Sequence, residues 1–298
     1  MLEPVAGQAR RLEEAIAPGF GYYLDAANVL IDRRSRFQRI ELLQTATFGT
    51  VLRLDGALQC SERDEFFHHE PLVHMALARS MRRDRVLVIG GGDGGAAEEV
   101  LKWPTVQRLD HVEIDQLVLE LCETWLRSVH RGVLSGADAR YHQHVQDGGS
   151  WVANALSAGT SYDAIVLDLT DAGGPSSSLY GPTFYRDCAR LLAPHGVLTL
   201  HLTAPWAQLA RAAQMVTTLR QAFAVVEPYL VSVPLSGGQW LMAACSGREH
   251  LASAGDCTSA GAALAGLRAP ALKVVTSRTL AAMLHLPPYL AQALSLQA

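Results

Sequence analysis

The apolar residues of this chain follow two rhythms, and the change falls near residue 80. From residue 86 onward, short runs of Val, Ile and Leu alternate with longer stretches of spaced apolar positions. Residues 86–89, 108–113, 139–145, 162–168 and 196–202 have the length and composition of buried strands, and 95–103, 115–128, 148–157, 180–193 and 206–222 fit helices. This alternation predicts a parallel, doubly wound sheet, closed by an antiparallel pair at 224–233 and 239–245. Earlier, residues 20–65 hold short runs broken at Gly49 and at Asp55-Gly56; Asp-Gly between apolar runs signals a hairpin, so a small antiparallel β region is expected. Within residues 1–19, QARRLEEAI reads as a short helix stopped by Pro18-Gly19, and 66–80 reads as a helix leading into the central strand. Residues 247–272, rich in Ala, Gly and Ser, read as a linker or loosely held loop before a last helix. The expected fold class is α/β: a mostly parallel, doubly wound sheet over 81–298 with a C-terminal helical extension, preceded by a helix and small antiparallel β domain over 1–80.

The strand at Val86–Ile89 runs into six residues, GGGDGG, before a helix-forming stretch. Glycine takes positive φ without penalty and lets a ligand approach the backbone. Glu113 lies at the end of the next strand, where a carboxylate can hold two ribose hydroxyls. Gly90, Gly92 and Gly95 satisfy G-x-G-x-x-G, the dinucleotide pattern. Asp93 argues against a dinucleotide, because it sits where a pyrophosphate would lie. Two unit charges about 4 Å apart interact by roughly 4 kcal/mol at an effective dielectric near 20. That term repels a phosphate and attracts an ammonium, so a nucleoside with a cationic tail is expected and a nicotinamide-dependent oxidoreductase is disfavoured.

Two more strand ends carry carboxylates. In YDAIVLDLTDAGGPSSSLY a strand ends at Asp168, Asp171 follows, and Gly173-Gly174-Pro175 shapes a loop. Such a pair can share an ammonium or accept its proton. A primary amine with a pKa near 10.4 is protonated at neutral pH and becomes a nucleophile only after the proton leaves. Asp168 could instead begin a turn or cap a helix. In Gln146-Asp147-Gly148, Asp147 can accept from an adenine amino group or cap the helix at 148–157, and the two roles are compatible. His68 and His69 are adjacent and point different ways, His142 and His144 lack a third ligand, and no metal site is expected. His69 can also be read as a solvated surface histidine, and Glu62-Arg63-Asp64-Glu65 as an exposed charged run.

Composition narrows the partners. The 298 residues are 49% apolar with a net charge of −4, which gives no basic footprint for nucleic acid. Cys60, Cys122, Cys188, Cys245 and Cys257 are scattered without a C-x-x-C and read as free thiols of a reducing compartment. Neither a signal-length nor a membrane-length apolar stretch occurs, so a cytoplasmic protein is expected.

Taken together, SRFQ (35–38), LDGALQCSERDEF (54–66), VLVIGGGDGG (86–95), EID (113–115), DLTDAGGPSSSLY (168–180) and LAAMLHLPPYLAQAL (280–294) resemble motifs of the polyamine aminopropyltransferases, most closely the spermidine synthases. The resemblance runs nearly end to end. It implies a methyltransferase-like Rossmann fold and transfer of an aminopropyl group from decarboxylated S-adenosylmethionine to putrescine, releasing methylthioadenosine. By position it implies Gln38, Gly90, Gly92, Glu113, Asp147, Gly148 and Pro175 on the donor's adenosine part. Asp93 falls on the aminopropyl ammonium, His69, Asp168 and Asp171 on the amine side, and Asp168 at the proton acceptor. The donor is a co-substrate, so no cofactor is implied; dimers or tetramers built through the small β region are. The chain departs from the family mainly on the acceptor side. His68 replaces the tyrosine of Y-H-E, Phe37 replaces a tyrosine, Ala172 replaces a proline, VPLSGGQWLM lacks the family's tyrosine, and HLTAPW lacks a glutamate. Spermidine or agmatine as acceptor, a methyltransferase on the same fold, and a non-catalytic polyamine or nucleoside binder stay open as alternatives.

Overall fold

The computed structural model of the protein describes residues 9–170, 174–247, 257–268 and 271–295, with the side chains of 257–260 outside that set. The first sheet is a meander, β1 (Arg10–Ala17), β2 (Phe20–Arg34), β3 (Arg39–Thr45), β4 (Gly49–Leu54) and β5 (Ala57–Ser61), with each strand antiparallel to the next. The Asp55-Gly56 turn joins β4 to β5, and both residues have positive φ. The expected helix in residues 1–19 is instead β1. Helix-forming residues such as RRLEEA carry only a weak local preference, and pairing overrides it. Pro18-Gly19 is a hairpin turn rather than a helix stop: Arg10 pairs with Ala26 and Ala17 with Phe20, while Leu12 is buried between exposed neighbours.

Helix α1 (Phe66–Leu77) leads to the second sheet, whose strand order is β11-β12-β10-β9-β6-β7-β8. Its strands are β6 (Arg85–Gly90), β7 (Arg108–Glu113), β8 (Tyr141–Val145), β9 (Tyr162–Asp168), β10 (Leu192–Thr203), β11 (Val225–Val233) and β12 (Gly238–Ser246). The five strands β8, β7, β6, β9 and β10 are parallel, and β12 and β11 close the sheet antiparallel. The crossover helices are α2 (Gly95–Leu101), α3 (Gln116–Trp125), α4 (Arg127–His130), α5 (Gly148–Ser157), α6 (Pro182–Leu191) and α7 (Leu209–Leu219). Alternate residues of β6 feed two cores: Val86 and Val88 pack with α1, α2 and α3, and Leu87 and Ile89 pack with α5, α6 and α7. This is the α/β class expected, a Rossmann-like sheet preceded by a small antiparallel one.

The 247–272 stretch differs from the loose linker expected. It contains α8 (Cys257–Ala265), and the Arg268 N–H donates to the Lys102 carbonyl. Residues 248–256 and 269–270 lie outside the described set. Immediately beyond, the buried Glu70 carboxylate accepts the backbone N–H groups of Lys273, Val274 and Val275 at 2.7–3.0 Å. Two helices follow rather than one, α9 (Ser277–Leu284) and α10 (Pro288–Ala293). Leu280 joins one core and Leu290 the other, so they straddle the sheet. Cys60, Cys122, Cys188 and Cys245 are buried free thiols, and the Cys257 side chain is not among the described ones.

Candidate active site

The sheet reverses its winding between β6 and β9, and Gly90 pairs with Asp168 at the carboxyl ends of those two strands. Ligands of open α/β sheets bind at such a switch point. The contact is close: the Gly91 N–H donates to the Asp168 carbonyl at 2.7 Å, and a Cβ on Gly90 would lie 2.1 Å from that oxygen. Gly90 also has φ +81°, so glycine is required there for both reasons. The first sheet lies across these strand ends and closes a single cleft. Its lining includes Gln38, His69, Gly90, Gly92, Asp93, Glu113, Asp147, Gly148, Asp168 and Pro175. The structure thus brings together every expected site residue except Asp171, which lies outside the described residues.

On one side of the cleft, β7 ends at Glu113, whose Oε1 accepts the Asp115 N–H at 2.9 Å. Asp115 caps α3 through the Leu117 N–H and takes hydrogen bonds from Ser35 Oγ (2.6 Å) and Gln38 Nε2 (3.1 Å). The SRFQ and EID segments, nearly eighty residues apart, are therefore clasped to each other. Burial pushes the Glu113 carboxyl up to about 7, against the opposing pull of the Asp115 N–H. Asp147 caps α5 by accepting the Ser150 N–H at 2.8 Å and also lines the cleft. A Cβ on Gly148 would meet Ile89 Cγ2 at 2.6 Å, so only glycine lets α5 start this close to β6.

On the other side, His69 is fully buried rather than solvated. Its Nδ1 is 3.0 Å from Glu65, and its Nε2 is 3.4 Å from Asp93 and 3.7 Å from Asp168. Burial alone would lower its pKa, but Asp93, Glu65 and Asp168 outweigh it and push it up to about 10, so the ring is an imidazolium at neutral pH. The exposed charged run expected at 62–65 is half buried: Asp64 and Glu65 point inward, and Asp64 accepts the Leu235 N–H at 2.7 Å. His69 leaves room for no side chain at Gly95, where a Cβ would lie 2.2 Å from its Cε1. Asp93 is buried and accepts the Gly95 N–H at 2.7 Å. Asp168 Oδ1 is 2.9 Å from His68 Nε2, whereas its buried Oδ2 has no hydrogen-bond partner among the described residues. Burial would raise the Asp168 pKa, but the His68 hydrogen bond and the charges of His68, His69 and His201 hold it well below the ordinary carboxylate range. Donor atoms of His68, His69 and Asp168 lie within 4.8 Å of one another, as do those of Cys60, His69 and Asp93. Both groups share His69, so a metal ion would have to displace its proton.

The sequence motifs did not single out several lining residues. Glu14 comes from β1 and accepts the Leu58 N–H at 3.0 Å; reading its segment as a helix hid it. Tyr22 donates to the Leu235 carbonyl. His201, the first residue of HLTAPW on β10, is stacked edge-on to Trp240 at 5.9 Å and lies 5.8 Å from the His68 ring. His68 was visible only as a departure from a motif, yet it contacts Asp168 directly. The cleft therefore carries a carboxylate, Glu14, beyond those of the strand ends, although HLTAPW contributes none.

Comparison with known proteins gives one answer. A family model described as the spermine/spermidine synthase domain matches residues 65–253, and one described as the spermidine synthase tetramerisation domain matches residues 12–62. A polyamine aminopropyltransferase of Nitrosomonas europaea is 41% identical over 282 residues, covering 95% of this chain and 85% of that protein. One from Prochlorococcus marinus is 39% identical over 212 residues, covering 71% and 73% of the two chains. Among solved structures, a spermidine synthase in complex with the transition-state analogue AdoDATO superposes with a TM-score of 0.85 at 24% identity, covering 99% of this chain and 98% of that one. The spermidine synthase of Thermotoga maritima gives 0.83 at 24% identity, covering 99% and 97%. The two structures establish the shared fold, and the sequence matches establish kinship: the chain belongs to the spermine/spermidine synthase family of polyamine aminopropyltransferases.

Proposed function

We propose that the protein transfers the aminopropyl group of decarboxylated S-adenosylmethionine to putrescine, with Asp168 as the proton acceptor for the attacking amine. The observation that carries this reading is the buried Asp168 Oδ2, which faces the glycine turn with no hydrogen-bond partner among the described residues. A buried carboxylate oxygen left unsatisfied costs free energy unless a ligand donates to it. An ammonium supplies that donor. Gln38, Glu113, Asp147, Gly148 and Pro175 hold the adenosine part, with Glu113 on the ribose hydroxyls. Asp93 holds the aminopropyl ammonium, and Asp171 completes the amine side. Glu14 lines the same cleft and supplies a carboxylate for the far ammonium of the diamine.

The chemistry asks little of the protein beyond alignment and a free amine. Once deprotonated, the amine attacks the methylene beside the sulfonium in line, the C–S bond breaks, and its electrons neutralise the sulfur as methylthioadenosine leaves. No resident cofactor enters this scheme. S-adenosylmethionine carries a carboxylate beside its ammonium, which Asp93 repels, so the same acid selects the decarboxylated donor. The test is methylthioadenosine release by purified protein given putrescine and either donor. Release only from the decarboxylated donor supports the reading; a methylated amine formed from S-adenosylmethionine sinks it.

Two further parts of the reading concern the surroundings. The match of residues 12–62 to a tetramerisation domain supports self-association through β1–β5, which light scattering on the purified chain measures. Among the described residues no helix is long and apolar enough to cross a membrane.

A further inference from the structure

Adjacent histidines point apart on a regular helix, yet at the start of α1 two of them converge on one carboxylate. His68 Nε2 lies 2.9 Å from Asp168 Oδ1, and His69 Nε2 lies 3.7 Å from Oδ2. One donor atom from each of the three residues falls within 4.8 Å of the others. The donors of a tetrahedral zinc ion stand about 3.4 Å apart, so small side-chain movements suffice to hold one. The Asp168 side chain is only 9% exposed, and its Oδ2 has no hydrogen-bond partner among the described residues. His69 Nδ1 lies 3.0 Å from Glu65, the carboxylate–histidine pairing that orients a ligating imidazole. The His68 side chain is 21% exposed, which gives an ion a way in from solvent. The second cluster, Cys60, His69 and Asp93, is buried throughout, and burial pushes the Cys60 thiol up, so an ion there would have to strip a further proton.

We propose that His68, His69 and Asp168 form a binding site for a borderline-soft divalent cation such as zinc, which inhibits the enzyme reversibly by taking the carboxylate that the acceptor ammonium needs. The inhibition rests on the aminopropyl-transfer reading; the binding does not. His69 ligates through Nε2 and keeps on Nδ1 the proton that Glu65 accepts. Its Nε2 proton goes to solvent, so His69 gives up one proton per ion bound. His68 ligates through Nε2 as its Nδ1–H tautomer. Asp168 supplies the third ligand, and water fills the fourth position on the cleft side. Two imidazoles and a carboxylate suit zinc and not magnesium, which keeps to oxygen ligands. Asp93, 3.4 Å from His69 Nε2, adds a second negative charge beside the ion. Displacing the His69 proton, held with a pKa of about 10, weakens the site about 1,000-fold at pH 7. A site otherwise on the order of nanomolar therefore takes zinc at on the order of micromolar. His68 stands where the family motif carries tyrosine, so one of the two imidazole ligands is a departure of this chain from that motif.

The experiment titrates the chelator-treated protein with zinc chloride by calorimetry, without substrates, and repeats the titration while methylthioadenosine release is followed. The expected result is one zinc per chain with a Kd on the order of micromolar, inhibition with the same constant, relief by rising putrescine and recovery on adding EDTA. Cobalt(II) in place of zinc should show the visible absorption of a tetrahedral ion, and millimolar magnesium should neither bind nor inhibit. His68→Phe, or His68→Leu should the first fail to fold, should weaken zinc binding by roughly 100-fold, as loss of a ligand does. Cys60→Ala and the exposed His195→Ala should leave it within about threefold. The site is overturned by native affinity in the His68 variants, by loss of binding in Cys60→Ala, which would put the ion on the other cluster, or by no saturable zinc binding to the native protein. Inhibition that putrescine does not relieve overturns the competition for Asp168. Zinc binding that follows this pattern in a protein releasing no methylthioadenosine supports the site and sinks the reaction reading alone, so the two failures are distinguishable.

Discussion

A single methyl group at position 95 tests whether the His69 imidazolium braces the acidic site. Gly95 opens α2 with ordinary φ, so alanine meets no backbone strain there. Its methyl would instead lie 2.2 Å from His69 Cε1 and 2.3 Å from Nδ1, and the ring would have to swing away. That withdraws the cation from Glu65, Asp93 and Asp168 and leaves buried carboxylates without their partner. Breaking one buried pair costs roughly 3–5 kcal/mol, while alanine in a helix returns about 1 kcal/mol over glycine. The expected net loss is about 2–4 kcal/mol, or roughly 4–8 °C in Tm at ~2 °C per kcal/mol for a chain of this size. Thermal melts of Gly95→Ala, His69→Ala and the double variant measure it, with Gly247→Ala, whose added methyl meets nothing within 4 Å among the described residues, as the control. In the His69→Ala background the ring that the methyl strikes is gone, so the cost of that clash should vanish. An equal cost of Gly95→Ala in both backgrounds would refute the bracing argument.

Three other perturbations follow from the same geometry. Asp168→Asn keeps the shape but not the base, so kcat should drop roughly 100- to 10,000-fold with methylthioadenosine affinity nearly unchanged by calorimetry; an active variant removes Asp168 from its role. Glu113, pushed up to about 7, accepts ribose hydroxyls more strongly as a carboxylate, so affinity for the neutral methylthioadenosine should rise with pH up to about 7 and level off above it. In the ligand-free protein the sign is reversed: a raised carboxyl pKa favours the protonated folded form, and this contribution to stability is lost as pH rises from the ordinary carboxylate range through about 7. Glu113→Gln should flatten the binding profile and remove its own part of the stability profile, leaving that of Glu98, which burial also pushes up to about 7. Glu14→Gln should raise the putrescine KM by roughly 10- to 100-fold, as loss of a charge-assisted hydrogen bond does, and leave the donor KM alone; parallel changes in both would place Glu14 outside the amine side.

The second sheet was legible because buried parallel strands such as VLVIG and YDAIVLD carry their signal within a few residues, and their ends mark the ligand face in advance. β1 was not, because RRLEEAIA has the local preferences of a helix and becomes a strand only through pairing with β2. That error concealed Glu14. The Ser35–Gln38 clasp on Asp115 and the stacking of His201 on Trp240 depend on distant segments meeting, which spacing along the chain does not encode. His69 was legible as a cleft residue, but its burial among carboxylates comes from the packing of α1 against the glycine turn.

The central claim is that a sulfonium donor and a diamine meet at Asp168. Mass spectrometry of products formed from decarboxylated S-adenosylmethionine and a mixture of putrescine, spermidine and agmatine tests it most directly. The account predicts spermidine and methylthioadenosine in equal amounts, with putrescine consumed first. Turnover of spermidine or agmatine that equals or exceeds that of putrescine would contradict the acceptor, and the absence of methylthioadenosine would contradict the reaction itself.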